Sequence, residues 1–351
     1  MTVCFYKAPI VGIDLGTVNT IVFIEGKGIV FNEPSIVARH IRTGDIIAVG
    51  NEAIELIGKS GEAADNIVTS RPIKDGVITD FETTKALIKY ILKKSIRFSL
   101  RKPSLLICVP GKISSIEKKV IIKAAKHAGA HDTFFIEEAL AAAIGAGIAE
   151  TDSSGHMLVD IGGGTTEMAV ISSGIIVSGE SSKIGGDTIQ QAIIDDLHKH
   201  HGLIISERTA ELITLKTSTG LIDDQATLEV KGRDSQSGLI KTIDLHKHEV
   251  LALIKPVIQA INTRIKYVLM QAPPEISGDI LENGITLTGG GALLHEVADM
   301  IAEEIELPVK IADDPLNSVI VGTGESLKKM KKMKQEDRRN KRGAYGKEMS
   351  V

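Results

Sequence analysis

Residues 12–20 read Gly-Ile-Asp-Leu-Gly-Thr-Val-Asn-Thr, and a modified copy of this pattern returns at residues 160–167 as Asp-Ile-Gly-Gly-Gly-Thr-Thr-Glu. In each copy an apolar run reaches an aspartate, a glycine turn follows, and a threonine leads into a second β-rich run. The β-branched runs at residues 10–15 and 20–24 predict a hairpin around the first turn, and residues 157–172 predict another. Two such hairpins, roughly 145 residues apart, indicate two similar lobes that face each other.

Helix-like stretches alternate with strand-like ones along the rest of the chain, which predicts a mixed α/β fold. Residues 105–109 are a fully apolar run that predicts a buried strand. Residues 245–270 have the pattern of one long helix, and Pro256 predicts a break or a bent start inside it. The alanine-rich residues 139–148 predict a helix that lies tightly against a neighbour. Further helices are predicted at residues 83–95, 116–128 and from 188 to 217.

The length and composition describe a globular protein of more than one domain. Of its 351 residues, 43% are apolar and 25% are charged, which is the balance of a folded protein and not of a disordered one. No apolar run reaches the ~18–20 residues that span a bilayer. The two cysteines are too few for a disulfide framework. We therefore expect a cytoplasmic protein.

Positive charge is concentrated at the C-terminal end. Residues 328–351 contain ten Lys/Arg against three Asp/Glu, although the whole chain carries a formal charge of −4. An acidic body with a basic tail does not match a nucleic-acid-binding protein, which concentrates positive charge on a folded face, so no nucleic-acid partner is expected. Residues 331–351 are expected to be disordered; they either keep the protein soluble or dock on an anionic surface, a membrane or an acidic partner.

The two glycine turns have the chemistry of a phosphate site. Backbone N–H groups at a turn such as Gly16–Thr17 form a nest that binds phosphate oxygens. The Asp14 carboxylate just before the turn would repel phosphate unless a Mg²⁺ ion lies between them, and the same holds for Asp160 before residues 162–165. Either turn alone is also compatible with an ordinary hairpin. Two copies, each with its own aspartate, favour a magnesium–phosphate site.

Two further segments would complete such a site. Residues 287–292, Leu-Thr-Gly-Gly-Gly-Ala, follow a strand and open a helix. They lack the lysine of a P-loop, but consecutive glycines let a flat ring such as adenine approach the backbone. Glu137 and Glu138 precede the alanine-rich helix. A carboxylate there is either a favourable partner of the helix dipole or, beside a magnesium nucleotide, a group that positions the attacking water.

Together these segments resemble the actin-like ATPase superfamily, and within it the MreB family of bacterial actins. The resemblance extends from about residue 8 to residue 327 and does not cover the tail. Residues 12–20 look like the first phosphate loop, residues 160–167 like the second, residues 289–294 like the adenosine loop, residues 136–147 like the connecting helix, residues 207–211 like the segment under the nucleoside, and residues 28–34 (GIVFNEP) and 71–76 (RPIKDG) like segments typical of the MreB family.

The resemblance implies an α/β fold of the actin-like ATPase type. Two ribonuclease-H-like lobes, each with a smaller inserted subdomain, would surround a nucleotide cleft. The implied boundaries are residues 1–32, 67–147 and 315–330 for subdomain IA, 33–66 for IB, 148–182 and 251–314 for IIA, and 183–250 for IIB.

The resemblance also assigns roles to residues of the cleft, with ATP or ADP and Mg²⁺ as ligands. Asp14 and Asp160 would hold the magnesium ion, through its water shell. Glu138 would position the hydrolytic water, and Thr165 would help to orient it. Glu211 would reach the ribose. The phosphates would be cradled by Thr17, Val18, Asn19, Gly162, Gly163, Gly164 and Thr165, and the adenine would be flanked by Gly289, Gly290, Gly291 and Ala292.

Two positions depart from the family pattern. Ala139 stands where the family has proline after Glu138, which frees the backbone beside the carboxylate that would position water. Thr214 stands where the family has a lysine, three residues after the ribose-binding Glu211. The position would still line the nucleoside site, but without a long cationic contact. Slow hydrolysis is expected.

The family resemblance further implies self-assembly into antiparallel double protofilaments on the inner face of the cell membrane, alone or with other MreB paralogues. Residues 95–102 alternate apolar and basic side chains, so Ile96, Phe98 and Leu100 would enter the lipid surface; a half-buried edge strand is the other interpretation. The chain has no tryptophan and is rich in Ile and Lys, which fits an AT-rich genome. We expect a divergent paralogue from a wall-less helical bacterium, in which the filament supports helicity or motility.

A superfamily kinase that acts on a sugar or carboxylate is the alternative function for the same cleft. It would need a catalytic base facing a substrate pocket between the lobes, and the sequence shows no clear candidate. The segments at residues 28–34 and 71–76 favour the filament-forming ATPase.

Overall fold

The computed structural model describes residues 8–56, 66–74, 76–96, 101–218 and 227–330. The strands are β1 Ile10–Leu15, β2 Asn19–Ile24, β3 Gly28–Pro34, β4 Val37–His40, β5 Ile46–Val49, β6 Ile67–Ser70, β7 Ile73–Lys74, β8 Val77–Ile78, β9 Ser104–Val109, β10 Asp132–Glu137, β11 His156–Ile161, β12 Thr166–Ser172, β13 Ile175–Ser182, β14 Leu203–Ile204, β15 Thr227–Asp234, β16 Ile240–His246, β17 Ile285–Thr288 and β18 Val309–Ile311. The helices are α1 Asn51–Ile54, α2 Phe81–Ser95, α3 Ser115–Ala128, α4 Glu138–Gly145, α5 Gly186–His201, α6 Glu207–Ser218, α7 Lys247–Met270, α8 Pro274–Asn283 and α9 His295–Ile305, with a 3₁₀ turn at Gly290–Leu293. Residues 318–330 are also helical.

Two five-stranded sheets share one topology. The first has the order β10-β9-β1-β2-β3 and the second the order β13-β12-β11-β17-β18. In each, three consecutive strands are antiparallel, and two later strands join parallel to the first of them. The hairpins that the sequence predicts around residues 16 and 163 are thus equivalent elements of two similar lobes.

The central strands place the two aspartates at equivalent positions, each near the C-terminal end of its strand. β1 and β11 are largely buried, as continuous apolar strands between parallel and antiparallel neighbours should be. Asp14 near the end of β1 lies opposite Cys108 of β9, and Asp160 near the end of β11 lies opposite Thr288 of β17. The turns that follow these aspartates therefore lie where the carboxyl ends of parallel strands meet, which is where open α/β sheets bind ligands.

Smaller sheets are inserted into each lobe. Strands β5-β4-β6 form one between β3 and β7, and strands β14-β15-β16 form another between α5 and α7. The first sheet extends to Ser70, beyond the boundary that the sequence suggested at residue 66, because β6 pairs antiparallel with β4. The remaining subdomain boundaries stay a prediction.

Helix α7 excludes one of the two alternatives that Pro256 left open, a break or a bent start. It runs without interruption from Lys247 to Met270, so the break that Pro256 predicted is absent from this helix. Proline removes one backbone donor, but Val250, Ile254 and Ile258 are buried in the core of the second lobe along the same helix. Their burial keeps the helix packed against the core on both sides of the proline.

Each lobe has its own hydrophobic core. The first packs β1, β2 and β9 against α2 and α3, and the second packs β11 and β12 against α5, α7 and α9. A third cluster joins the alanine face of α4 to β11 and β12. Among the residues that the structure describes, no helix is long and apolar enough to cross a bilayer.

Candidate functional site

A cleft of about 510 Å³ lies between the two lobes. It is bordered by both glycine turns, by the start of α4 and by one face of α5 and α6. The predicted site residues that line it are Asp14, Thr17, Val18, Asn19, Glu138, Asp160, Gly162, Gly163, Gly164, Thr165, Glu211, Thr214, Gly289, Gly290 and Gly291. Ala292, in contrast, is fully buried and does not line the cleft.

The first turn is held from outside the cleft. The Ser35 hydroxyl donates to the carbonyl of Gly16 (2.6 Å), the Arg71 guanidinium donates to the carbonyl of Thr17 (2.8 Å), and the Ser35 N–H donates to the carbonyl of Val18 (2.8 Å). Across a trans peptide the C=O of one residue and the N–H of the next point in opposite directions. The amides of Thr17 and Val18 therefore point away from these donors, which is the arrangement that an anion nest needs.

The second turn is held by the start of α5. The N–H groups of Gly186 and Asp187 donate to the carbonyls of Gly162 (3.0 Å) and Gly163 (2.7 Å). A Cβ on Gly185 would lie 2.6 Å from the carbonyl oxygen of Gly163, so α5 can approach this closely only through glycine. The first turn of α5 also brings the positive end of its dipole next to the turn.

Asp14 is half-buried, Asp160 is buried, and the charge of Asp160 acts on Asp14. Burial, followed by the charge of Asp160, raises the pKa of Asp14 to about 7. Burial raises the pKa of Asp160 to about 6, and the nearby Thr288 hydroxyl acts in the opposite direction. A cation between them would favour both charged forms. Within the described residues no three acidic, His or Cys side chains converge closely enough to hold a metal directly, so this pair fits an ion that keeps its water shell.

Glu138 begins α4 and faces the cleft. Burial raises its pKa well above the usual range, and the charges of Glu167, Asp14 and Asp160 add to the effect. The carboxylate thus lies in an acidic, desolvated wall of the site. Such a perturbed group in a cleft is a candidate for proton or water chemistry.

Glu167 was not singled out from the sequence. It lies in β12, is 2% exposed, and its carboxylate accepts hydrogen bonds from the Ser181 hydroxyl (2.5 Å) and the Gly111 N–H (3.3 Å). Burial raises its pKa to about 7. The signal in the sequence was a single acidic residue inside the otherwise uncharged run at residues 166–172, since charged residues are almost never fully buried without a partner.

The end of the cleft where the sequence predicts the nucleoside is lined by α6 and by the glycine cluster after β17. The Thr214 hydroxyl donates to the carbonyl of Ala210 in its own helix (2.9 Å), so it does not replace the missing lysine. Gly289 has φ +80°, and a Cβ there would lie 2.5 Å from a carboxylate oxygen of Asp160. A Cβ on Gly291 would overlap Ile161. These two glycines are therefore required by the close packing on β11 as well as by any flat ring in the cleft.

The predicted membrane residues are placed only in part. Ile96 follows α2 and packs, half-buried, against the core of the first lobe. Phe98, Leu100 and the basic tail at residues 331–351 lie outside the described residues. Of the three apolar side chains, Ile96 is thus held by the protein interior in this conformation.

Comparison with known proteins identifies the family. The MreB/Mbl protein family model matches residues 8–335. Cell shape-determining protein Mbl of Bacillus cereus is 44% identical over 325 residues, which is 92% of this chain and 97% of that protein. Cell shape-determining protein MreB of Escherichia coli K12 is 41% identical over 322 residues, 90% of this chain and 92% of that protein.

Solved structures agree with this relationship. MreB5 of Spiroplasma citri bound to AMPPNP aligns with a TM-score of 0.87 and 34% identity, over 94% of this chain and 99% of that one. A MamK double helical filament aligns with a TM-score of 0.75 but 20% identity, which shows the fold alone. The predicted actin-like ATPase fold is confirmed. The chain is a bacterial actin homologue that belongs to the MreB/Mbl family.

Proposed function

We propose that this protein binds ATP or ADP with Mg²⁺ in the interlobe cleft, hydrolyses ATP, and uses the cycle to control its own assembly into filaments. The observation that carries the proposal is the convergence of two glycine turns, one from each lobe, beside the carboxyls of Asp14 and Asp160. The MreB5 structures of Spiroplasma citri, bound to AMPPNP and to ADP, support a nucleotide in the equivalent place.

Each lobe would contribute residues that bind the nucleotide. Thr17, Val18 and Asn19 of the first lobe would hold phosphate oxygens on one side, and residues 162–165 of the second lobe on the other. Asp14 and Asp160 would hold the water shell of Mg²⁺. When bound, this ion supplies positive charge that offsets the negative charge of the phosphates. Glu211 would bind the ribose next to the glycines at residues 289–291.

Glu138 would orient the water that attacks the terminal phosphate, with Thr165 as a second contact to that water. Both residues line the same cleft from opposite lobes. Glu138 can accept a proton only in its charged form. The Mg²⁺ ion that accompanies the nucleotide would favour that form. Phosphoryl transfer requires mainly such positioning and electrostatic stabilisation. Ala139 after Glu138 supports a slow reaction, because no proline fixes the backbone there.

The assembly would be a homopolymer of antiparallel double protofilaments on the cytoplasmic face of the cell membrane, with other MreB paralogues as further partners. Its task would be to determine cell shape, or helicity and motility in a wall-less cell. The cell shape-determining relatives Mbl and MreB support this role. Attachment to anionic lipid would use the segment that contains Phe98 and Leu100 together with the basic tail, because two weak anchors are needed for stable binding.

Sedimentation with ATP, with ADP and without nucleotide, imaged in parallel by negative-stain electron microscopy, tests the proposal. Paired filaments that form with ATP, together with slow release of phosphate, are expected. The variant Glu138→Ala should still assemble but should release phosphate at least about tenfold more slowly. A protein that stays monomeric in every condition and transfers phosphate to a small acceptor would contradict the proposal and indicate the superfamily kinase instead.

A further inference from the structure

Glu167 joins the two lobes behind the cleft. Its Oε1 accepts the hydroxyl of Ser181, which lies directly opposite in β13 of the same sheet. Its Oε2 accepts the N–H of Gly111, which belongs to the corner after β9 in the other lobe. Because each carboxylate oxygen has a donor from a different lobe, the side chain fixes the Gly111 corner to β12.

The Gly111 corner lies beside the residue that would position water. Strands β9 and β10 are parallel, and Val109 at the end of β9 lies opposite Glu137, which immediately precedes Glu138. A Cβ on Gly111 would lie 3.4 Å from a carboxylate oxygen of Glu137 and 3.7 Å from one of Glu167. A shift of this corner would therefore move the start of α4 as well.

The same corner lies close to the second phosphate turn. A Cβ on Gly76 would lie 3.1 Å from the side chains of both Pro110 and Thr165, so these two side chains converge on one point. Pro110 and Thr165 also line the cleft. The corner that Glu167 holds thus lies between Glu138 of the first lobe and Thr165 of the second.

We propose, on the basis of the ATPase function above, that Glu167 is a positioning residue for hydrolysis. It does not line the cleft and acts through Gly111: it sets the separation between Glu138 and the phosphates that both turns hold. A displacement of about 1 Å of such a group is enough to lower a reaction rate about 100-fold. Nucleotide affinity depends on other contacts and should change little.

The energetic cost of this arrangement supports a functional role. Glu167 is buried next to the acidic wall formed by Glu138 and Asp160, and its charge is the largest electrostatic influence on Glu138 after burial itself. A neutral side chain of similar size would avoid this repulsion and the desolvation of a carboxylate. Stability alone therefore does not favour glutamate at this position.

The test uses the full-length chain and three variants. Glu167→Leu removes both acceptors at similar volume, Glu167→Gln retains one acceptor, and Ser181→Ala removes one donor but leaves the carboxylate in place. Glu150→Gln, at a solvent-exposed carboxylate that pairs with Lys329 and does not line the cleft, is the matched control. For each, we would measure mant-ATP affinity in the presence of Mg²⁺ and the single-turnover rate of phosphate release.

Glu167→Leu should lower the single-turnover rate at least about tenfold and change the affinity less than about threefold. Glu167→Gln should recover part of the rate, and Ser181→Ala should lose about two- to fivefold. Unchanged rates in Glu167→Leu, or in Ser181→Ala if the leucine variant does not fold, would overturn the inference, as would equal losses of rate and affinity. If the unaltered chain binds Mg–ATP but releases no phosphate, the hydrolysis in the proposed function fails together with this inference. If the unaltered chain hydrolyses ATP and the variants release phosphate at the same rate, only this inference is contradicted.

Discussion

The side chain of Val18 in the first lobe occupies the space that a Cβ on Gly163 of the second lobe would need. The two glycine turns therefore meet across the cleft through the Val18 side chain, which packs directly against the backbone of Gly163. This contact sets the distance between the two groups of backbone donors, and so the space for the phosphates between them.

Gly163→Ala tests this contact. The added methyl group overlaps Val18 and would push the turns apart, so we expect at least about tenfold weaker ATP binding with little change in the fold of either lobe. Mant-ATP titration measures it. Gly278→Ala in α8 is the control, because a Cβ there meets nothing within 4 Å and alanine is favoured over glycine in a helix. Equal affinity in the two variants would contradict the account of the turns.

Three carboxyls in and behind the cleft make the stability of the nucleotide-free protein depend on pH. Folding raises the pKa of Asp14 to about 7, of Asp160 to about 6 and of Glu167 to about 7. A carboxyl whose pKa is raised by folding binds protons more tightly in the folded state, so its contribution to stability falls as pH rises from about 4 to about 7. Thermal unfolding without nucleotide should therefore show a Tm that decreases between pH 5 and 8, before Mg–ATP is added.

Asp14→Asn isolates one part of this effect. The neutral amide removes a buried charge, so the variant should have a higher Tm than the unaltered chain at pH 8 without nucleotide, and it should bind Mg–ATP more weakly. Asp152→Asn is the opposite control. Hydrogen bonds from Ser154 and His156 lower the pKa of Asp152 to about 2, so its charge favours folding above pH 4 and its removal should not raise the Tm. A lower Tm in Asp14→Asn would contradict the assignment of Asp14 as a ligand-binding group held at a cost in stability.

Arg71 holds the first turn through its bond to the carbonyl of Thr17. Arg71→Ala should weaken ATP binding about fivefold, the usual effect of losing one hydrogen bond of about 1 kcal/mol, because the Thr17–Val18 peptide is then free to rotate. Arg233→Ala, at an exposed position in β15, should have no effect. Isothermal titration with AMPPNP distinguishes the two, and equal affinities would show that the turn keeps its conformation without Arg71.

Two helices cross with their backbones in contact where the lobes join. A Cβ on Gly145 of α4 would overlap the carbonyl of Ser318, and a Cβ on Gly322 would overlap the carbonyl of Ala141. Gly322→Ala should therefore lower the free energy of unfolding by about 1–3 kcal/mol or more, as measured by urea denaturation. A variant as stable as the unaltered chain would show that the crossing opens without cost.

The sequence was most informative where a pattern is local. The alternation of apolar runs, aspartate and glycine predicted both hairpins, because strand and turn preferences act over a few residues. The alanine-rich run at residues 139–148 predicted a closely packed helix, and α4 has that contact. Its partner, the helix at residues 318–330, could not be found this way, since the contact joins residues about 180 positions apart.

The functional contacts that the sequence did not reveal join residues that are distant along the chain. Glu167 contributes through a bond to Gly111, 56 residues away, and no local motif marks that pairing. The role of Arg71 was hidden although its segment was recognised, because its bond to Thr17 joins residues 54 positions apart. The break that Pro256 predicted as one alternative is absent, because the side chains buried along α7 outweigh a local helix-breaking preference.

The central claim is that the two lobes together form a magnesium-dependent nucleotide site. Isothermal titration calorimetry of AMPPNP into the full-length chain, with Mg²⁺ and with EDTA, in the unaltered protein and in Asp160→Asn, tests it most directly. The account predicts one nucleotide per chain, at least about tenfold tighter binding with Mg²⁺ than with EDTA, and loss of most of that difference in Asp160→Asn. Absence of binding, or binding that neither Mg²⁺ nor Asp160→Asn alters, would contradict it.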